Sequence, residues 1–310
     1  MENLAFAVDI GGTSIKLGIV SNTGSILARS SLKTAKDMPL PTLAKNIGLH
    51  LREIADTADV KPQSVGICAP GYPDPKTGVL VDGSGAVPSL KTGSISRALS
   101  AVLGVPAGIG NDGTCAAQGE LQFGVGRTKP SFIYMCIGTG IGGAIVHERR
   151  VLEGPNGEPP EFGAICVRPG QGHSSRGLRG SIEDLAGGRA LVETYKRKAG
   201  WDDDPLDVNT LREMALRDDK IAIEIFEDAT DQLAQTIGGL INASCVTECI
   251  IGGGLSKAGA FLIDPIQKKV SRYAWKMFAD QANIRASELG NDAGLLGTYS
   301  IPRHGIEAAA

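Results

Sequence analysis

Three glycine-rich turns hold the residues whose types and spacing can do chemistry. In "VDIGGTSIK", residues 8–16, Gly11, Gly12 and Thr13 separate two apolar runs, with Asp9 just before them and Lys16 just after. "CIGTGIGGAI", residues 136–145, repeats the design with Gly138, Thr139 and Gly140, then Gly142 and Gly143. "IIGGGLSKAG", residues 250–259, sets Gly252, Gly253 and Gly254 between a strand and a helix. Neighbouring glycines let backbone N–H groups approach an anion with no Cβ in the way, and a threonine adds a hydroxyl donor. A lone glycine turn is normally only a turn. Three of them, two with Gly-Thr pairs, point to phosphate. A dinucleotide fingerprint is excluded at the first turn, because it must lead into a helix and residues 15–20 read as a strand. Two Gly-Thr turns from opposite domains suit the two ends of a triphosphate, and the third suits a flat floor for an adenine.

The elements that must position these turns alternate between strand and helix. Strands are expected at 4–8, 15–20 and 26–31, then a helix with Leu43, Ile47, Leu51, Ile54 and Ala58 on one face. A buried strand at 64–69 precedes the helix "SISRALSAVLG", stopped by Gly104, and "VPAGIG" leads into a loop at Gly110. A helix begins at Asp112, followed by the strands "SFIYMCIG" and "GGAIV". Residues 154–181 are rich in Gly, Pro and Ser with little periodicity, which is too long for an idle loop. Beyond them come a helix over "DLAGGRALVETYKRKAG", one near 206–218, one over 220–243 and the strand "VTECIIGGG". A last helix, 264–278, has Ile266, Val270, Ala274, Met277 and Phe278 along one side.

Composition narrows the class. A chain of 310 residues exceeds what one core normally supports, so two domains are expected. Hydrophobic content of 42% with 21% charged residues is ordinary for a globular protein, while 42 glycines imply many tight loops. Net charge of −3, without a long run of either sign, gives no footprint for nucleic acid. No apolar stretch is long enough to span a membrane and no secretory leader is apparent, so a cytoplasmic protein without a membrane partner is expected. The six cysteines lack CxxC spacing and lie in apolar surroundings, which predicts buried reduced thiols.

The sequence resembles the ROK family of sugar kinases and repressors, within the actin, hexokinase and Hsp70 ATPase superfamily. The likeness runs through "VDIGGTSIK", "APGYPDPKTGVL", "NDGTCAAQGE", "IGTGIGGAIV", "EGPNGEPPEFG", "IIGGGLSKAG" and "LGNDAGLLGT". It implies an α/β, two-lobed actin-like ATPase fold, ribonuclease H-like, with a central cleft where nucleotide and sugar meet. The smaller lobe would be residues 1–114 with 293–310, and the larger 115–292. It also implies transfer of the γ-phosphoryl of ATP to a sugar hydroxyl with Mg²⁺, and a homodimer. By the resemblance Gly11, Gly12, Thr13, Gly138, Thr139, Gly140, Gly253 and Gly254 bind the nucleotide. Asp9 would stand near the Mg²⁺ and its waters, as suits a hard cation. Lys16 is either a phosphate contact or a solvated strand residue. Asp112 opens a helix, and pattern alone makes it an N-cap. The resemblance makes it instead the general base that takes the sugar hydroxyl's proton, with Gly71, Asn111, Glu161 and Glu183 as further sugar contacts.

The sequence departs from its relatives at the sugar site. Family members carry E-x-G-H and C-x-C-G-x-x-G-C-x-E, whose histidine and three cysteines bind a structural zinc. Here Ala164 stands for the histidine, and Ser174, Arg176 and Ser181 for the cysteines, so no zinc site is expected. His173 alone reads as a solvated loop residue. Gly177, Gly180 and Glu183 remain, and the loop is expected to keep its course by hydrogen bonds and packing. Ala86 also replaces a common asparagine. Losing two polar partners weakens the grip on glucose hydroxyls, so the first reading is a glucokinase-like hexose kinase and the alternative acceptor is an amino sugar, an N-acetyl sugar or a cyclitol. Rival readings are a non-catalytic sugar sensor, a repressor without its helix-turn-helix, and a kinase that uses polyphosphate as donor.

Overall fold

A computed structural model describes residues 3–74, 76–83, 85, 87–171, 178–201 and 205–301. Chain order begins with β1 (Leu4–Ile10), β2 (Ser14–Ser21), β3 (Ile26–Lys33), α1 (Leu40–Thr57) and β4 (Val65–Ala69). There follow β5 (Tyr72–Pro73), β6 (Leu80–Asp82), α2 (Ile95–Leu103), β7 (Ala107–Asn111) and α3 (Asp112–Phe123). Next are β8 (Phe132–Ile137), β9 (Ile141–His147), β10 (Arg150–Val151), α4 (Ile182–Ala186), α5 (Gly188–Ala199), α6 (Val208–Leu216) and α7 (Lys220–Ser244). The chain continues through β11 (Glu248–Gly252), α8 (Ala260–Lys269), α9 (Lys276–Ala279), β12 (Asn283–Ala286) and α10 (Ala293–Gly297). Among the described residues no helix is long and apolar enough to cross a membrane.

The chain divides into two compact units, one of Met1–Thr128, Val151–Pro159 and Asp292–Ala310, the other of Lys129–Arg150 and Pro160–Asn291. The first unit's sheet has the order β3-β2-β1-β4-β7, with β1, β2 and β3 antiparallel and β1, β4 and β7 parallel. The second repeats this as β10-β9-β8-β11-β12, an antiparallel β8–β9 hairpin beside parallel β11 and β12. Burial follows position in the sheet: every residue of the inner strand β4 is buried, whereas the edge strand β3 alternates between half-buried and exposed. Each unit has its own core, around Val8, Leu17, Ile47 and Ile67 in the first and Ile133, Phe162, Leu233 and Ile251 in the second.

Helix boundaries follow local chemistry. Ser94 caps α2 by accepting the Arg97 N–H, and Gly104 ends it in a left-handed conformation, φ 73°. On α1 the buried face runs through Leu43, Ile47, Leu51 and Ala55, with Ala58 at the C-cap.

Four expectations need correction. Residue 110 is not in a loop, since β7 continues through Gly110 to Asn111 and passes directly into α3. The helix expected over "DLAGGRALVETYKRKAG" is two, because Gly187 is extended, φ −67° and ψ 150°, and separates α4 from α5. The last helix stops at Lys269 and a 3-10 turn follows, so Met277 lies on the separate α9 and is exposed. All six cysteines are free, but Cys166 and Cys245 are exposed.

Residues 115–128 belong with the first unit because α3 packs on α10 through glycines. A Cβ at Gly119 would collide with the Ala293 carbonyl, and one at Gly297 with the Cys115 carbonyl. Residues 151–159 are held there by Tyr72, whose hydroxyl donates to the Asn156 carbonyl at 2.7 Å. The short α10 thus fixes the helix that begins at Asp112. Gly297→Ala is expected to cost about 1–3 kcal/mol, the usual range for overpacking, measured by urea unfolding against the wild-type chain.

Candidate active site

In the first unit the β1–β2 hairpin presents residues 11–13 between its last registered pair, Ile10 and Ile15. The Gly11 N–H donates to the Ser14 carbonyl at 3.0 Å, closing the turn. Thr34, just past β3, holds it from behind: its hydroxyl donates to the Gly11 carbonyl at 2.7 Å and its N–H to the Thr13 carbonyl at 3.0 Å. In a trans peptide the N–H points opposite to the carbonyl, so these bonds turn the N–H groups of Gly12 and Ser14 away from Thr34. Thr13 is exposed. Asp9 and Lys16 are register partners, and the Lys16 Nζ lies 2.9 Å from Asp9 Oδ2. Lys16 therefore stands in a cross-strand ion pair, an arrangement that neither sequence expectation contained.

The β7–α3 junction divides its labour between adjacent residues. The Asn111 Oδ1 accepts the N–H groups of Gly113 and Thr114, at 2.9 and 3.2 Å, so Asn111 is the N-cap of α3. Its Nδ2 donates to the Gly71 carbonyl at 2.8 Å, fixing a glycine whose φ of +94° and close approach to the Asp82 carbonyl exclude a side chain. Asp112 is the first residue of the helix and is exposed, and its Oδ1 accepts the Gly113 N–H at 2.8 Å. Capping thus falls to the asparagine.

Cys68 is the neighbour that sequence reasoning missed. On β4 it registers with Asp9 on β1 and Gly110 on β7, and it is buried. The Cys115 thiol, burial and the negative charges of Asp9 and Asp112 together push the Cys68 thiol well above its ordinary pKa. A Cβ built on Gly294 would lie 3.4 Å from the Cys68 sulfur and 3.6 Å from Asp9 Oδ2. These contacts bring Asp9, Cys68, Cys115 and Gly294 to one end of the first sheet. Asp9, Cys115 and Gly294 lie in motifs that the sequence offers, and Cys68 lies in none.

In the second unit, residues 138–140 form the equivalent turn of the β8–β9 hairpin. The Gly138 N–H donates to the Gly140 carbonyl at 2.9 Å. The start of α5 lies behind it, with the Gly188 N–H on the Gly138 carbonyl at 2.9 Å and the Arg189 N–H on the Thr139 carbonyl at 3.0 Å. Glu183 Oε2 accepts the Ile141 N–H at 3.0 Å. A Cβ on Gly253, φ +82°, would lie 2.5 Å from the Ile137 carbonyl, so the third turn abuts the end of β8. Beside Gly138 and Gly254 a Cβ would meet nothing within 4 Å. Glu161 is exposed and precedes the 3-10 turn Phe162–Ala164.

Where the altered loop is described, hydrogen bonds hold it. Val167 N–H donates to the Gly180 carbonyl and Ile182 N–H to the Ile165 carbonyl, both at 2.8 Å. Ser181, at a cysteine position of the family pattern, caps α4 by accepting the Asp184 N–H at 3.3 Å and donates to the Asp184 carboxylate at 2.9 Å. Among the described residues no three His, Cys, Asp or Glu side chains group as metal ligands. His173, Ser174, Arg176 and Gly177 lie outside the described residues, as does Ala86.

Two sheets of one strand order, each with a glycine turn at its hairpin, are the architecture of an actin-like ATPase fold. The chain belongs to the ROK family, whose profile matches residues 5–304. It is 31% identical to the glucokinase of Thermotoga maritima, over 96% of this chain and 97% of that protein. It is 28% identical to the beta-glucoside kinase of Klebsiella pneumoniae, over 94% of this chain and 93% of that protein. It is similar in structure to a ROK family glucokinase from Streptomyces griseus in complex with glucose and AMPPNP, with a TM-score of 0.81 and 28% identity, covering 98% of this chain and 100% of that one.

Asn111→Ala removes both the cap and the tether to Gly71. A loss of about 1–2 kcal/mol in urea unfolding is expected, the upper part of the range for an N-cap. Unchanged stability would mean that Asn111 does not carry the junction.

Proposed function

We propose that this chain is an ATP-dependent sugar kinase that transfers the γ-phosphoryl of Mg-ATP to a hydroxyl of a hexose or hexose-like acceptor. The observation that carries the reading is the β7–α3 junction, where Asn111 caps the helix and Asp112 presents an exposed carboxylate at its first position. In the proposed step an acceptor oxygen attacks the γ-phosphorus as its proton passes to Asp112, and the bond to the ADP oxygen breaks. The turns of Gly11, Gly12 and Thr13 and of Gly138, Thr139 and Gly140 are assigned to the phosphates. Gly253 and Gly254 are assigned to the base, and the open space beside Gly254 supports a flat ligand there.

Asp9 offers the hard oxygen donor that Mg²⁺ prefers, held in place by its pairing with Lys16. It would hold the ion through water, and the ion would supply neutralisation of phosphate charge. Lys16 adds a second positive group on the same hairpin. Gly71, Asn111, Glu161 and Glu183 are assigned to the acceptor, and no zinc is assigned to the loop after Glu161. Ala164, where the family pattern has histidine, removes an imidazole from the acceptor's partners. That loss favours an amino sugar, an N-acetyl sugar or a cyclitol over plain glucose. The glucokinase and beta-glucoside kinase relatives already differ in acceptor by name.

A coupled assay of ADP release tests the proposal. With Mg-ATP and a panel of glucose, mannose, fructose, N-acetylglucosamine, N-acetylmannosamine, glucosamine, allose and cyclitols, at least one acceptor is expected to raise release well above the acceptor-free rate. Polyphosphate as donor is expected to give less. Silence across the panel with nucleotide still bound would contradict the kinase and favour a sugar sensor.

A further inference from the structure

We propose that Glu183 is a positioning residue for the phosphate turn of the second unit, so that a carboxylate assigned to the acceptor also sets the geometry that receives the nucleotide. The proposal rests on the kinase reading above and extends it to how its two sites are coupled.

The turn at 138–141 is restrained from two directions. Behind it, the extended Gly187 ends α4 and lets α5 begin with its first N–H groups aimed at the turn's carbonyls. Gly188 takes the Gly138 carbonyl at 2.9 Å and Arg189 the Thr139 carbonyl at 3.0 Å. Because each trans peptide points its N–H opposite to its carbonyl, the N–H groups of Thr139 and Gly140 are turned away from α5, which is the orientation that anion binding requires.

The other restraint is Glu183. Its Oε2 accepts the Ile141 N–H at 3.0 Å, where the turn re-enters β9. The fit has no slack: a Cβ on Gly140 would collide with the same oxygen, and one on Gly163 would come within 3.1 Å of it. Gly187 belongs to the same contact, since a Cβ there would lie 3.4 Å from the Gly140 Cα and 3.2 Å from the Thr139 carbonyl. Glycines at 140, 163 and 187 therefore share a reason, which is room for this carboxylate and this turn. Movement of Glu183 onto an acceptor hydroxyl moves the group that holds Ile141.

A negative charge beside a phosphate turn is unfavourable in itself, so the useful property is the hydrogen-bond acceptor. Glutamine keeps an acceptor oxygen and alanine does not. Isothermal titration of the full chain with Mg-AMPPNP in the absence of sugar separates the two roles of this residue. Glu183→Ala is expected to weaken nucleotide binding by about tenfold or more, the scale of losing a charge-assisted hydrogen bond. Glu183→Gln is expected to restore binding to within about threefold of wild type, with unfolding temperatures checked for both.

Gly140→Ala tests the same contact from the turn's side. It is expected to weaken binding, and its combination with Glu183→Ala to be far less than additive, as for groups in contact. Wild-type binding matched by Glu183→Ala would overturn the proposal and leave the kinase reading standing. Failure of the wild-type chain to bind the nucleotide would overturn both.

Discussion

The hydrogen bonds of the Asn111 side chain are the constraint on which the β7–α3 junction of the first unit depends. One amide accepts two N–H groups at the head of α3 and donates to Gly71, so it joins the end of β7, the start of the helix and the loop after β4 in a single node. A helix must satisfy its first N–H groups somewhere, and whichever residue does so is committed to that geometry. With the asparagine committed, the aspartate beside it keeps an exposed carboxylate at a position whose backbone cannot drift. Packing completes the restraint, because Gly119 and Gly297 allow α10 to lie directly on the backbone of α3.

The two units solve one problem with different parts. A glycine turn is flexible, yet a phosphate-binding turn must present N–H groups in a fixed direction. In the first unit Thr34 holds the turn's carbonyls with its hydroxyl and its N–H. In the second the N-terminus of α5 takes them, and Glu183 takes the last N–H. A helix N-terminus commonly serves as the anion site itself. Here its first donors are directed to the turn's carbonyls, and the turn itself is the part proposed to meet the anion.

Much of this was legible in the sequence because it rests on local chemistry. The three glycine turns, the hairpin at residues 9–16, the cap and stop of α2 and the long α7 all follow from patterns within a few residues. The misreadings share a cause in contacts between distant segments. Gly187 breaks an apparently continuous helix because Thr139 and Gly140 lie against it, which no periodicity reveals. The expected loop at Gly110 is strand because β4 pairs with it as far as Asn111. The cap that pattern alone gave to Asp112 falls to Asn111, one residue earlier and equally suited to cap by type. Thr34 and Cys68 carried no motif at all, and their places follow from sheet pairing alone.

The most direct measurement of the central claim is turnover of Asp112→Ala beside its nucleotide affinity and unfolding free energy. The division of labour at the junction predicts that turnover falls by about a hundredfold or more, the scale of general-base catalysis, while affinity for Mg-AMPPNP and stability stay close to wild type. Retained turnover, or a loss of about 1 kcal/mol of stability typical of a missing cap, would contradict it and return the capping role to Asp112.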